Sequence, residues 1–329
     1  MQSRKRAVRR RHVLALAVGG VATPAVLRAQ ASWPDRPIRL IVPWAPGGST
    51  DTIARIFQAR LGAILGQPIV IENRGGASGA IGAAEAARAA PDGSTWMFQY
   101  DNEAPNQTLM RLTYRTLDAF TPVSLVATGP LVMVAHQSTP FRRFQDVVDA
   151  ARREPDRWNY ATSGAGGLAH ISTTLLQQQN NFRLTHVPYR GGGPAVTAAI
   201  ANEVPLFMTN VVIVSQHIRA GTLRPLGVTT RIESRHVPNT PSFAQQGFGN
   251  FEAPTWWALF GRTGTPQPIL DRMQAAITQA VNDPEVKAKI EEQGADVRGT
   301  SPAEARQFIA NEIERWGQVI RQNDIRADS

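Results

Sequence analysis

The feature that most constrains this chain is an alternation of short apolar runs with stretches of helical periodicity, sustained from residue 38 to residue 229. Strands that recur between amphipathic helices build sheets of parallel strands covered by helices, so the expected class is α/β. Ile38–Val42 reads as a strand. After a Gly-rich turn, Ile53, Ile56, Phe57, Leu61, Ile64 and Leu65 recur at spacings of three and four and mark one face of a helix. Residues 68–72 and 95–99 read as further strands, with a glycine-laced turn and an alanine-rich helix between them. The cycle restarts after Leu125, with strands at 131–135, 158–161, 184–187, 204–208 and 223–229. Helices are expected at Phe144–Arg153, Leu168–Asn180 and 194–202. The last third turns helical. Ile269, Leu270, Met273, Ile277 and Val281 form one stripe, and Ser301-Pro302-Ala303-Glu304 is a capping box that opens a helix through Phe308, Ile313, Trp316 and Ile320.

Charge has to be placed before it is interpreted. The formal net charge of +9 over 329 residues suggests a nucleic-acid binder. Seven of the basic residues (Arg4, Lys5, Arg6, Arg9, Arg10, Arg11 and Arg28) lie in the first thirty, which hold no acid. The remainder carries 28 basic against 26 acidic residues, so the nucleic-acid reading fails. Residues 1–31 read instead as an export signal: a cationic start, an apolar stretch at 13–26, and Ala29-Gln30-Ala31 as a small–x–small cleavage pattern, with the mature chain beginning at Ser32. The apolar stretch falls short of the roughly 20 residues a membrane-spanning helix needs. Arg10-Arg11 resembles a twin-arginine signal; an ordinary secretory signal is the alternative. Either route places the mature protein outside the cytoplasm, in the periplasm.

The loops limit the chemistry. With no cysteine, disulfides, thiolate metal sites and a cysteine nucleophile are excluded. His136, His170, His186, His217 and His236 show no metal-ligand spacing, so neither metal nor cofactor is expected. Gly47-Gly48-Ser49-Thr50-Asp51 joins a strand to a helix, where unpaired N–H groups and the helix dipole suit a carboxylate without a basic side chain. The plain alternative is a turn that caps its own helix, with Asp51 fixing the loop. Ser163-Gly164-Ala165-Gly166-Gly167 has the same setting. Its loose dinucleotide fingerprint lacks the acid expected about 20 residues on. Val187-Pro188-Tyr189-Arg190-Gly191-Gly192 echoes Val42-Pro43-Trp44-Ala45-Pro46-Gly47 in the second half of the series. Trp256, Trp257 and Trp316 sit in apolar runs and read as core.

Four segments in order carry a resemblance: 43–51, 72–79, 160–166 with His170, and 186–191. In them the chain resembles the Bug-type solute-binding proteins of tripartite tricarboxylate transporters. The resemblance implies a two-lobed Venus flytrap of the periplasmic-binding-protein type, with a ligand cleft between α/β lobes. One lobe would comprise residues 32–128 and 230–329, the other residues 129–229. It implies that Trp44, Ala45, Pro46, Gly47, Gly48, Ser49, Thr50 and Asp51 take a ligand carboxylate, flanked by Ala77, Ser78 and Tyr100. Ser163, Gly164, Gly166, Gly167, His170, Tyr189 and Asn210 would oppose them from the second lobe. Gly167 and Asn210 depart from the family pattern, which has a hydroxyl residue and an acid there, and residues 100–103 are bulkier than usual. These departures suggest one carboxylate and a polar or amide far end rather than a tricarboxylate. The expected partners are a small organic acid and membrane transporter subunits, and the receptor is expected to be a monomer and not an enzyme. Two other functions compete: an exported serine hydrolase using Ser163 and His170, and a ligand sensor docking on a membrane signalling partner.

Overall fold

The computed structural model describes residues 33–249 and 252–327; the export signal and its cleavage point lie outside the described residues. The chain opens with β1 (Ile38–Val42), α1 (Ser49–Leu65), β2 (Ile69–Asn73), α2 (Ala80–Ala87), β3 (Thr95–Tyr100), α3 (Glu103–Leu109), α4 (Thr116–Ala119) and β4 (Phe120–Gly129). It continues with β5 (Leu131–His136), α5 (Phe144–Arg153), β6 (Asn159–Thr162), α6 (Leu168–Asn180), β7 (Thr185–Pro188), α7 (Gly192–Ile200), β8 (Leu206–Asn210), α8 (Val211–Arg219) and β9 (Leu223–Val228). It ends with β10 (Thr255–Arg262), α9 (Gln267–Asn282), α10 (Pro284–Glu292), β11 (Asp296–Val297) and α11 (Pro302–Gln322).

Two sheets result, ordered β11-β4-β10-β3-β1-β2 and β7-β6-β8-β5-β9. Neither is purely parallel, which corrects the expectation from the alternating pattern. β10 runs antiparallel between β3 and β4, and β5 runs antiparallel between β8 and β9. β10 is the strand returning from the second sheet, so it completes the first sheet with material about 155 residues away from β3. The sequence reading missed β10 and β4. On β10, Trp256, Ala258 and Phe260 pack into one core and Trp257 and Leu259 into another. A strand buried on both faces reads as an unbroken apolar run and shows no alternation in the sequence.

The chain crosses between sheets at Pro130 and again after Val228, and the two crossings are tied side by side. Thr229 Oγ1 accepts from Leu131 N–H at 3.2 Å and donates to Ala253 O at 2.8 Å, while Thr229 N–H donates to Leu131 O at 3.0 Å. Away from the crossings, aromatic packing holds each layer. The ring of Phe57 on α1 meets Phe98 on β3 edge-on at 5.2 Å, both fully buried. Deleting a core ring of this kind costs about 3–5 kcal/mol. The carboxyl ends of β3, β6 and β8 meet, with Tyr100, Ser163 and Asn210 around one small space, and ligands of open α/β sheets bind at such strand ends.

Candidate functional site

Between the two sheets, Tyr100, Asp101, Asn102, Leu131, Ser163, Gly164, Gly167, Ala169, Thr209 and Asn210 line a cavity of about 10 Å³, room for about one water molecule in this closed arrangement. Five of these were expected from the sequence: Tyr100, Ser163, Gly164, Gly167 and Asn210. Asp101, Asn102, Leu131, Ala169 and Thr209 were not. Each of the five sits at a strand end, at the first residue of the next strand or in a helix's first turn, and which of these face the space between sheets is decided by the packing of one sheet on the other. A larger groove of about 640 Å³ opens beside Tyr160, Gln177 and Phe182, but it gathers none of the expected residues.

None of Trp44 to Asp51 lines the space between the sheets; the β1–α1 turn is joined to it through Ser49, which accepts from Asn210. Gly48 is the N-cap of α1 and no side chain caps the helix. Asp51 serves the turn itself: it accepts from Gly47 N–H at 3.0 Å, Arg55 Nε at 2.9 Å and Asn73 Nδ2 at 3.1 Å. Burial pushes its carboxyl up, but these three donors outweigh burial and hold it below the usual range. Gly48 N–H turns back to Ala45 O at 3.4 Å, so Ser49 and Thr50 carry the N–H groups of the first turn that remain without a side-chain partner. Trp44 is a fixed wall. Its indole N–H donates to Gln99 Oε1 at 2.6 Å, and its ring meets Tyr100 edge-on at 4.7 Å. Gln99 in turn donates to the buried Glu103 at 3.2 Å; burial lifts that carboxyl to about 7, against bonds from Thr116, Gln99 and Tyr114.

The opposing wall comes from the second sheet. α6 starts at Gly167 and α8 at Asn210, and neither has a side-chain cap. The walls touch. Asn210 Nδ2 donates to Ser49 Oγ at 3.0 Å, and Ser78 Oγ donates to Ala165 O at 2.7 Å. The first turn of α7 lies against Pro46 so closely that a Cβ on Gly193 would fall 2.8 Å from Pro46 O. Ala77 and Ser78 sit at positive φ beside this contact. Gly166 packs against Leu109, and its N–H donates to His170 Nδ1 at 3.1 Å. Tyr189 is half-buried and packs against the core around Val132 and Phe207 instead of the cavity.

Acid–base chemistry is poorly served here. Ser163 is hydrogen-bonded to the Tyr100 hydroxyl, while His170 stacks on His186 at 4.1 Å and spends Nδ1 on Gly166. Burial and the neighbouring His170 drive His186 down to about 3, which leaves it neutral. Asp101 is buried and bonded by Thr255 Oγ1; burial, with Glu312 nearby, pushes it up to about 8 despite that bond. The cavity wall therefore contains no cation and, at neutral pH, a mostly protonated carboxyl.

Comparison with known proteins agrees with this geometry. Residues 53–325 match the family model described as "Tripartite tricarboxylate transporter family receptor". The protein BugT of Bordetella pertussis (strain Tohama I) is 34% identical over 310 residues, covering 93% of this chain and 94% of its own length. Among solved structures, Rpa4515 of R. palustris with adipate superposes with a TM-score of 0.86 at 31% identity, covering 89% of this chain and 99% of that one. MatC (Rpa3494) from Rhodopseudomonas palustris with bound malate gives 0.83 at 31% identity, covering 88% and 100%. The family is one of receptors rather than enzymes, so the hydrolase reading of Ser163 and His170 is set aside. The chain belongs to the tripartite tricarboxylate transporter receptor family and has the two-lobed fold of its Bug-type periplasmic solute-binding proteins.

Proposed function

We propose that this protein is exported to the periplasm, captures a small organic carboxylate in the space between its sheets, and hands it to the membrane subunits of a tripartite transporter. The carboxylate is held by backbone N–H groups at the first turns of α1 and α6, helped by the hydroxyls of Ser49, Thr50 and Ser163. The observation that carries this reading is the opening of the N-termini of α6 and α8, neither with a side-chain cap, onto one small cavity, with the start of α1 joined to them through the Asn210–Ser49 hydrogen bond. Such termini attract anions through their free N–H groups and dipoles. Relatives that hold adipate and malate support the ligand class. The lobes of this reading are residues 32–128 with 230–329, and residues 129–229. Strands drawn from 38–129 and 255–297 share one sheet and those from 131–228 the other, which supports the division.

A thermal-shift panel of mono-, di- and tricarboxylates, each beside the fully amidated compound, tests the proposal. A ligand at ~1,000 times its Kd adds about 4 kcal/mol, and each kcal/mol moves Tm by roughly 2–4 °C at this domain size. A shift from an acid and none from its full amide is expected. If neutral compounds shift Tm and no acid does, the carboxylate reading is wrong. Crosslinking to the membrane subunits in vesicles separates delivery to a transporter from docking on a signalling partner.

A further inference from the structure

We infer that Asn102, Thr209 and Asn210 form a second subsite that reads a neutral donor–acceptor group, such as a primary carboxamide, at the far end of a monocarboxylate ligand. This rests on the carboxylate reading above and specifies the other end of the same molecule. Asn102 Nδ2, Thr209 Oγ1 and Asn210 Oδ1 are buried and have no hydrogen-bond partner among the described residues. All three residues are 2% exposed or less and line the same cavity. Buried polar atoms without partners are uncommon and costly, and three of them around one cavity point to a ligand that satisfies them.

Their chemistry narrows the class. Asn210 uses Nδ2 on Ser49 Oγ, so its oxygen is the atom left over. Together the three offer an amide N–H, a hydroxyl and a carbonyl oxygen. A carboxylate is acceptor-only and meets Asn210 Oδ1 as acceptor against acceptor, whereas a carboxamide donates to Asn210 and accepts from Asn102 or Thr209. Charge argues the same way. The lining has no Lys, Arg or His and includes Asp101, so a second ionised carboxylate would be buried without a countercharge. Asn102 also accounts for the glycine facing it. A Cβ on Gly167 would fall 2.4 Å from Asn102 Oδ1 and 2.6 Å from Nδ2, so the Asn102 amide takes the volume that any side chain at position 167 needs.

Isothermal titration calorimetry on the purified chain tests this with matched probes: succinate against succinamate, glutarate against glutaramate, and adipate against adipamate. At the length that binds best, the half-amide is expected to bind at least tenfold tighter than its diacid. Asn102→Leu and Thr209→Val are each expected to pull that ratio toward one by weakening the half-amide more. A diacid that binds as well as or better than its half-amide overturns the subsite while leaving the carboxylate reading intact. A wild-type preference that both folded variants preserve also overturns it. If no acid in the set binds, the carboxylate reading falls and the subsite with it. The wild-type ratio needs no variant, so a variant that fails to fold does not remove the test.

Discussion

Two helices of this molecule, α10 and α11, are capped by their own side chains, and the helices that open at its cleft are not. α10 starts at Asp283, whose carboxylate accepts from Glu285 and Val286 N–H. α11 starts at Ser301, whose hydroxyl accepts from Glu304 N–H while Glu304 reaches back to Ser301 N–H at 2.9 Å. α1, α6 and α8 start at Gly48, Gly167 and Asn210 with no side-chain cap. A glycine in place of a capping side chain forgoes only a few tenths of a kcal/mol of helix stability. α2, α3, α4 and α7 likewise begin without a side-chain cap, so an open start is common in this fold; what distinguishes α6 and α8 is that their first residues line the cavity. α9, also peripheral, lacks a side-chain cap but carries Pro268 in its first turn, which has no N–H to satisfy. The comparison that bears on binding is between α11, whose first turn is served by its own Ser301, and α6 and α8, whose first turns are open where they meet the cavity.

The largest expected effect comes from giving a cleft helix the peripheral arrangement. Gly48 has φ −77° and ψ 167°, which any residue adopts, and a Cβ there meets only ordinary contacts at 3.4 and 3.8 Å. Gly48→Asp should therefore fold, cap α1 and change stability by only a few tenths of a kcal/mol. Its carboxylate would occupy the N–H groups proposed for the ligand. Calorimetry with the best carboxylate should show affinity down by about 100-fold, equivalent to about 2.7 kcal/mol. Unchanged affinity in a folded Gly48→Asp protein would break the comparison, because the uncapped turn would then have no part in binding.

This contrast also explains what the sequence discloses. Local features are legible: α5 and α6 begin and end where periodicity and flanking residues place them, and the Ser301 capping box is written in four adjacent letters. The glycine turns at 47–48 and 164–167 can be read as close-approach backbone because glycine is the residue that permits it. β4 and β10 are hidden, since burial on both faces erases the period of two. Asp101, Asn102 and Thr209 are hidden for another reason: Asn102 faces Gly167 and Thr209 faces the same cavity only once the two sheets have packed together. The motif around Tyr189 echoes the first loop, and its side chain packs on the second sheet's core.

A smaller effect separates the two regions by pH. In the peripheral capping box, hydrogen bonds from Ser301 hold Glu304 below its usual range, so that acid is ionised. At the cleft, burial raises Asp101 to about 8 and Glu103 to about 7, so the folded state keeps protons that the unfolded chain has released above about pH 4. Stability from a raised carboxyl falls as pH rises toward the folded pKa. His186, lowered to about 3, acts in the other direction but only up to its unfolded value near 6.5. Between about pH 6.5 and 8 the carboxyls are left alone, and stability should fall by about 1–2 kcal/mol. Urea unfolding at pH 6.5 and 8 measures it. Asp101→Asn should flatten most of the decline, and a decline of the same size in that variant would place the titrating group elsewhere.

The smallest effect is the control that makes the largest one interpretable. Ser301→Ala removes the hydroxyl that accepts from Glu304 N–H at 3.3 Å and donates to Glu304 Oε2 at 2.7 Å. It should lower unfolding free energy by about 1 kcal/mol. Since α11 opens far along the chain from every cavity-lining residue and none of its first-turn residues lines the cavity, ligand affinity should stay within experimental error. Urea unfolding and calorimetry on the same preparation read both quantities. Loss of stability with affinity retained, set beside Gly48→Asp with stability retained and affinity lost, would show that a helix start in this fold serves either its own first turn or the ligand. If Ser301→Ala also weakened binding, capping would be acting through the stability of the whole molecule, and the loss seen in Gly48→Asp could no longer be assigned to the donors at the cleft.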